Sequence, residues 1–156
     1  MLELVIRWTH LSVDGETCSR CSETGKELAI AVEALRKTLS PLGIRVVFEE
    51  VEITNEEFSR NPLRSNEIWL NGKLLEEWLG ARTTQTQCCN VCGDEECRAL
   101  EVDGQLHEVI TSELVIKAGL IAASKLISAS GCCCSGQPSC CDREPDQQQG
   151  FPLPSK

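Results

Sequence analysis

Cysteines are the residues of this chain whose type and spacing can do chemistry. Eleven occur in 156 residues, in three groups, whereas tyrosine is absent and methionine occurs once. Because eleven is odd, complete pairing into intramolecular disulfides is excluded. In a reducing compartment, dense thiols indicate redox chemistry or soft-metal binding rather than a structural disulfide framework.

The first group is the pair Cys18 and Cys21, spaced as CxxC at the predicted start of a long helix. Free amides and the positive end of a helix favour a thiolate, and Arg20 adds a positive charge, so we expect the pKa of Cys18 to be lowered. Such a thiolate attacks a disulfide, with Cys21 as the resolving thiol. The alternatives are two structural residues or half of a metal site. His10, nearby, is read as a loop histidine, with proton transfer as its alternative role.

The second group supplies four thiols within ten residues: Cys88, Cys89, Cys92 and Cys97. Four thiolates can hold a zinc ion or an iron–sulfur cluster, although adjacent cysteines are awkward ligands for one ion. We therefore expect three of them to bind a metal with one ligand from elsewhere, or one of them to act as a resolving thiol for Cys18. The alternative is a set of surface thiols on a loop.

The third group lies near the end of the sequence and consists of Cys132, Cys133, Cys134, Cys140 and Cys141. The surrounding Gly, Ser, Gln and Pro residues cannot bury enough apolar area to fold alone, so residues 131–156 are predicted to be a disordered tail. Soft thiolates select Cu(I), Zn(II), Hg(II) or trivalent arsenic. The tail is therefore expected to capture a soft metal or metalloid ion, with low-complexity drift as the alternative.

Hydrophobic periodicity predicts the elements that position the first pair. Alternating apolar residues over Leu2–Trp8 predict a strand, and helical spacing predicts a helix from about Cys18 to Leu39 with Thr17 as its N-cap. A β-branched segment, Gly43–Ile53, predicts a second strand. Strand, helix and strand form a βαβ unit, whose two strands should be parallel.

The rest of the chain predicts two hairpins and a final helix. Glu67–Leu70 and Lys73–Leu75 alternate on either side of Asn71-Gly72, the residues of a type I′ turn. Asp103-Gly104 predicts a second small hairpin, preceded by a polar segment, Thr83–Gln87. An Ala-rich helix is expected from Thr111 or Ser112 to about Ser128.

This order of elements, with CxxC at a helix start, resembles the thioredoxin-like superfamily. More closely, the chain resembles an uncharacterised prokaryotic thioredoxin-like family, known only as a domain of unknown function, over about Leu2 to Ala129. The resemblance implies an α/β fold with a thioredoxin-like βαβ-ββα core over residues 1–130 and a Cys-rich insertion at about 81–110, before the last helix. The residues that carry it are Trp8–Leu11, Gly15–Thr24, Ser65–Gly72, Cys97-Arg98 and Glu113–Ala123.

Two positions depart from the usual thioredoxin pattern. Thr17 stands where an aromatic residue usually precedes the first cysteine. Ser65-Asn66-Glu67 stands where the superfamily places a cis-proline that faces the CxxC and keeps metals off its thiols. This departure leaves room for a metal or metalloid at Cys18 and Cys21.

Composition excludes several function classes. Fifteen Lys and Arg against 24 Asp and Glu give a net charge of −9, which disfavours nucleic acid and anionic membranes as partners. The apolar stretch Leu114–Ile127 is too short to span a bilayer, and Leu2–Trp8 is a strand rather than a signal peptide, so we expect a cytoplasmic protein. The predicted function is thiol–disulfide exchange; the alternative is soft-metal or metalloid binding by clustered thiolates. Either function implies a redox or metal-transfer protein as partner.

Overall fold

A computed structural model describes residues 1–88 and 90–131 of the chain, with only the backbone of Asn90. The predicted tail from Cys132 onward lies outside the described residues. So do six of the predicted metal ligands: Cys89, Cys132, Cys133, Cys134, Cys140 and Cys141.

The described chain is mixed α/β. Its helices are α1 (Ser19–Leu39), α2 (Asn55–Arg60), α3 (Leu75–Leu79) and α4 (Ser112–Ser130). Its strands are β1 (Leu2–Leu11), β2 (Ile44–Ile53), β3 (Glu67–Leu70), β4 (Lys73–Leu74), β5 (Arg82–Gln87), β6 (Glu96–Val102) and β7 (Gln105–His107). Short 3-10 turns cover Ser40–Leu42, Pro62–Arg64 and Asn90–Cys92.

The first sheet has the strand order β2-β1-β3-β4. β1 and β2 are parallel along their whole length, which confirms the predicted βαβ unit. β3 is antiparallel to both β1 and β4. Asn71 and Gly72 have φ angles of 47° and 78°, as a type I′ turn requires, and the Asn71 side chain accepts a 2.7 Å hydrogen bond from the Val5 amide. The hairpin is thereby fastened to the central strand.

Helix α1 buries the face that the periodicity predicts, including Leu28, Val32 and Leu35. Gly25, which weakens the helix by propensity, has a packing reason. A Cβ atom at this position would lie 2.9 Å from Cη2 of Trp8, so the indole ring occupies the space of the missing side chain. The glycine therefore lets the start of α1 approach β1 closely.

Helix α4 covers the predicted region and packs against α1 and α3. Gly119 makes the contact with α1 close, because a Cβ atom there would lie 2.6 Å from Cδ1 of Leu35. Within the described ranges, no helix has the length and apolar character needed to cross a membrane.

A second sheet has the order β5-β6-β7; Cys97 lies on β6, and Cys88 and Cys92 lie in the connection between β5 and β6. The polar segment that starts at Thr83 belongs to strand β5, which pairs with β6 from Arg82↔Glu101 to Gln87↔Glu96. Its threonines favour extended backbone, although its lack of apolar residues conceals the strand from periodicity. The predicted hairpin at Asp103-Gly104 is confirmed, with φ angles of 50° and 78°.

A buried arginine joins this second sheet to the first. Arg98 on β6 forms ion pairs with Glu76 of α3 and, at 3.1 Å, with Glu67 of β3. Its Nε also donates a 2.7 Å hydrogen bond to the Leu63 carbonyl. Because breaking such a buried pair leaves an uncompensated charge, the network fixes β6 against the first sheet.

Candidate functional site

Cys18 lies at the point where the chain leaves β1 and enters α1. A two-residue turn at Asp14-Gly15, both with positive φ, reverses the chain after the strand. Cys18 is the N-cap of α1, and its sulfur accepts a 3.4 Å hydrogen bond from the Cys21 amide. The prediction of Thr17 as N-cap is wrong by one residue, because the thiol takes over the capping role. Among the described residues, the buried Thr17 hydroxyl has no hydrogen-bond partner.

Cys21 is fully buried beneath the first turn of the helix. Its sulfur lies 3.5 Å from the hydroxyl of Ser65, which also accepts a 3.2 Å hydrogen bond from the Leu11 amide. Ser65 therefore faces the CxxC pair from the segment before β3. In the described chain there is no cis peptide bond, and the departure from the thioredoxin pattern places a hydroxyl beside the thiols.

Asn66, next to Ser65, holds this segment in place. It has a positive φ of 65°, and its side chain accepts a hydrogen bond from the Trp8 indole and donates one to the Thr24 hydroxyl, at 3.1 and 3.2 Å. The Thr24 hydroxyl in turn accepts from the Ile110 amide. All these groups are buried, so the network holds β1, α1 and the segment before β3 together next to the thiol pair.

Three sulfurs converge at the N-terminus of α1. The Sγ atoms of Cys18, Cys88 and Cys92 all lie within 4.8 Å of one another, and those of Cys88 and Cys18 are 3.7 Å apart. We call these three residues the thiol triad. Cys92 and Cys18 are buried, whereas Cys88 is half-buried. Residues from two predicted cysteine groups, 70 positions apart, thus form one site.

Arg20 positions the segment that supplies Cys88 and Cys92. Its guanidinium is 8% exposed and donates hydrogen bonds to the carbonyls of Gln87 at 2.8 Å, Arg98 at 3.4 Å and Cys97 at 3.5 Å. It also forms a 3.2 Å ion pair with Glu108. The first turn of α1 is thereby clamped to the ends of β5 and β6, which frame the triad.

The neighbouring thiols favour the ionised form of Cys18. The Cys21 thiol, followed by that of Cys92, hydrogen-bonds to the Cys18 sulfur and lowers its pKa well below the ordinary value of 9.0; burial opposes the shift, and the Cys21 amide adds to it. The pKa values of Cys21 and Cys92 are raised, because each thiol keeps its proton while it donates a hydrogen bond to the Cys18 sulfur. One thiolate held by protonated donors is therefore the favoured state of the site.

Cys97 carries the second lowered pKa in the site. A hydrogen bond from Cys92 is the largest cause that brings it to about 7, against the effect of burial, and Cys88 and the positive charge of Arg20 contribute further lowering. Arg20 thus acts on Cys97, a role that its place inside the CxxC motif does not indicate. Cys97 is fully buried on β6 and lies outside the triad.

One member of the triad, Cys88, borders a cavity. A cavity of about 360 Å³ is bordered by this residue together with Ser19, Gln87 and Glu108. Cys18 itself is only 2% exposed. A small molecule that enters the cavity therefore meets the Cys88 sulfur before the Cys18 sulfur.

His10 is engaged away from the thiols. It is buried at the end of β1, its ring stacks on Trp8 at 4.1 Å, and its Nε2 lies 2.8 Å from Oε1 of Glu50. Glu52 completes a group of three with His10 and Glu50. The expectation of a loop histidine is wrong, because β1 extends through His10 to Leu11. The partner of the imidazole is a carboxylate of β2, which fits a satisfied histidine better than one of proton transfer.

The positioning residues of the site escape sequence reasoning. In the sequence, Ser65 and Asn66 mark only the place of a missing proline, and the clamp made by Arg20 depends on carbonyls about 70 residues away. Only the CxxC spacing signalled the site directly. The closeness of Cys88 and Cys92 to Cys18 follows from the tertiary fold.

Comparison with known proteins identifies a family. Residues 4–119 match the family model of a domain of unknown function, DUF2703. A protein of Archaeoglobus fulgidus described as an uncharacterized protein is 68% identical over 114 residues, which cover 73% of this chain and 83% of that protein. No solved structure matches the chain.

Proposed function

We propose that this chain, which belongs to the DUF2703 family, is a thioredoxin-like thiol–disulfide oxidoreductase that uses the Cys18–Cys21 pair. The observation that carries the proposal is the position of Cys18 at the N-cap of a 21-residue helix, where its sulfur accepts a hydrogen bond from the Cys21 amide. The sheet order β2-β1-β3-β4, with one parallel pair, supports a thioredoxin-like core. On this interpretation the second sheet is a Cys-bearing insertion before α4.

The exchange consists of two displacements. The Cys18 thiolate attacks one sulfur of a substrate disulfide, which forms a mixed disulfide and releases the first substrate thiolate. Cys21 then loses its proton and attacks the Cys18 sulfur, which releases the second substrate thiolate and leaves a Cys18–Cys21 disulfide. The substrate gains two electrons and the protein loses them. A dithiol donor, which we take to be a cytoplasmic redox protein, restores both thiols.

Cys88 is proposed as the relay thiol between substrate and Cys18. It borders the cavity, and its sulfur lies 3.7 Å from that of the buried Cys18. In this relayed route the Cys88 thiolate attacks the substrate disulfide first, which forms a Cys88–substrate disulfide and releases the first substrate thiolate. Cys18 then attacks the Cys88 sulfur and releases the second substrate thiolate, and Cys21 attacks the Cys18 sulfur, which returns Cys88 as a thiolate and leaves the Cys18–Cys21 disulfide. This places the substrate contact on the second sheet and the electron-donating pair on the first.

Reduction of the insulin disulfides by the full chain, with dithiothreitol as the donor, tests the function. Cys18→Ser and Cys21→Ser should each abolish turnover above the uncatalysed rate, whereas Ser22→Ala, in the same helical turn, should retain it. Cys21→Ser should also accumulate a mixed disulfide on Cys18 or Cys88, which peptide mass mapping locates. Wild-type protein without turnover in this assay would overturn the proposal.

Soft-metal binding is a second candidate function, because three sulfurs converge within 4.8 Å. Thiolates at this spacing suit zinc, an iron–sulfur centre or a softer ion, with Cys97 nearby on β6. Elemental analysis of the full chain purified without air, followed by titration with zinc and Cu(I), tests it. Absence of metal together with affinities no tighter than those of free small thiols would exclude this function.

A further inference from the structure

The thiol triad differs from a regular four-sulfur site in its number of ligands. Cys97, although buried next to Cys92, does not lie within 4.8 Å of all three triad sulfurs. Within the described part of the chain, no imidazole or carboxylate joins the set either. The geometry thus presents three thiols to one point, which suits an ion that takes three ligands.

We propose that Cys18, Cys88 and Cys92 form a three-coordinate site for a trivalent thiophilic metalloid, the class represented by arsenite. This inference rests on the second candidate function and names its ligands and ion class. Trivalent arsenic takes three thiolates in a pyramid, and its lone pair occupies the fourth direction. A tetrahedral ion such as zinc would need a fourth ligand, which Cys97 supplies only if the site rearranges.

Charge and burial favour the same ion class. Two of the three sulfurs are buried, and an uncompensated charge in such a place is costly. Three thiolates around a trivalent ion make a neutral centre, whereas three thiolates around a divalent ion keep one net negative charge. The neutral centre is therefore the better occupant of this interior.

The binding step involves no oxidation or reduction. Arsenous acid, As(OH)₃, reacts with the Cys18 thiolate and the thiols of Cys88 and Cys92; three As–S bonds form and three As–O bonds break. Two of the departing hydroxides take the two thiol protons and the third takes a proton from the solvent, so that three waters leave. No co-reactant is needed. Neutral arsenous acid can enter through the cavity of about 360 Å³ at Cys88 and pass from there to the two buried sulfurs.

The site bridges the two sheets, which gives binding a structural consequence. Cys18 belongs to the β1–α1 junction, while Cys88 and Cys92 belong to the connection between β5 and β6. An ion bound to all three cross-links these units and stabilises the folded chain by mass action. Binding also occupies Cys18, so it should stop disulfide exchange.

The test uses the full-length chain in which the cysteines outside the described residues, Cys89, Cys132, Cys133, Cys134, Cys140 and Cys141, are replaced by serine. Anaerobic titration with arsenite should give one arsenic per chain, consume three thiols, and show arsenic–sulfur absorption. Cys92→Ser and Cys88→Ser should each weaken binding by at least about 100-fold, more than the loss of an outer-shell group. The half-buried Cys88 provides the test if Cys92→Ser does not fold.

Two control variants separate this proposal from the others. Cys97→Ser, at a position as buried as Cys18 and Cys92 but outside the triad, should bind arsenite like its parent. Cys21→Ser should lose disulfide exchange and keep arsenite binding, so failure of one function is distinguishable from failure of the other. Equal loss of affinity in Cys97→Ser, binding through fewer than three thiols, or zinc bound by four sulfurs in preference to arsenite would overturn the three-coordinate site.

Discussion

The ionisation of Cys18 predicts that the reduced, metal-free protein becomes more stable as the pH rises. Hydrogen bonds from Cys21 and then Cys92 hold its pKa well below the 9.0 of an ordinary cysteine. At any pH between the lowered pKa of Cys18 in the folded chain and its ordinary pKa of 9.0 in the unfolded chain, the unfolded chain carries one proton more than the folded chain. The free energy of unfolding then rises by somewhat more than about 1 kcal/mol per pH unit, or about 3 kcal/mol from pH 6 to pH 8.

Cys18→Ser isolates this effect, because serine is a good N-cap but does not ionise. Urea unfolding of both proteins at pH 6 and pH 8, anaerobic and with reductant and chelator, gives the two free energies. Histidine and carboxylate titrations common to both proteins cancel in the difference. The wild type should gain about 3 kcal/mol relative to the variant over this interval. Two stabilities that change in parallel would show that the thiol ionises no more easily in the folded chain, and would refute the reasoning.

Cys97, Cys21 and Cys92 determine how the free energy of unfolding depends on pH at higher pH. With a pKa lowered to about 7, Cys97 adds stability that is absent below pH 7 and complete above its ordinary value of 9.0. Cys21 and Cys92, whose pKa values are raised, act in the opposite sense: they stay protonated in the folded chain while the unfolded chain ionises above pH 9. Stability should therefore stop rising near pH 9 and fall above it, and Cys97→Ser should lose only the additional rise that begins near pH 7.

Two further predictions concern the packing around the site. Gly25→Ala should destabilise the fold by about 1–2 kcal/mol, because the clash with Trp8 at 2.9 Å outweighs the better helix propensity; thermal unfolding should show a lowered Tm. Glu76→Gln should cost about 3 kcal/mol in urea unfolding, because it leaves the buried Arg98 undercompensated, whereas Glu101→Gln, in an exposed ion pair, should cost less than about 1 kcal/mol.

Local patterns predicted the elements of the first sheet well. Alternating apolar residues predict β1, helical spacing predicts α1, and Asn71-Gly72 predicts the turn of the β3–β4 hairpin. These predictions succeed because each pattern depends only on residues close together in the sequence. The polar segment at Thr83 was missed as a strand. Its pairing with β6 depends on backbone hydrogen bonds, which leave no hydrophobic trace in the sequence.

The site itself was predictable only in part. CxxC spacing identifies Cys18 and Cys21, whereas the thiol triad requires the fold, because Cys88 is 70 residues from Cys18 in the sequence. The helix start, which the sequence predicts as the cause of the lowered Cys18 pKa, is not the largest cause. Thiol hydrogen bonds contribute most, with the amide of the first helical turn as a smaller contribution, and Arg20 acts on Cys97 instead. Side-chain orientation, set by tertiary contacts, decides both results.

The two proposed functions use the same atom, so one molecule of the protein cannot perform both at the same time. The sulfur of Cys18 is the nucleophile of the exchange reaction and a ligand of the three-coordinate site. A Cys18–Cys21 disulfide removes one ligand and so prevents metalloid binding, whereas a bound metalloid removes the nucleophile. Oxidation should therefore release bound arsenite, and arsenite should protect Cys18 from alkylation. Both results are expected because the same sulfurs take part in the two states. Cys88 and Cys92 hydrogen-bond to the Cys18 thiolate in the empty site, and they lose their protons and bind the ion in the occupied site.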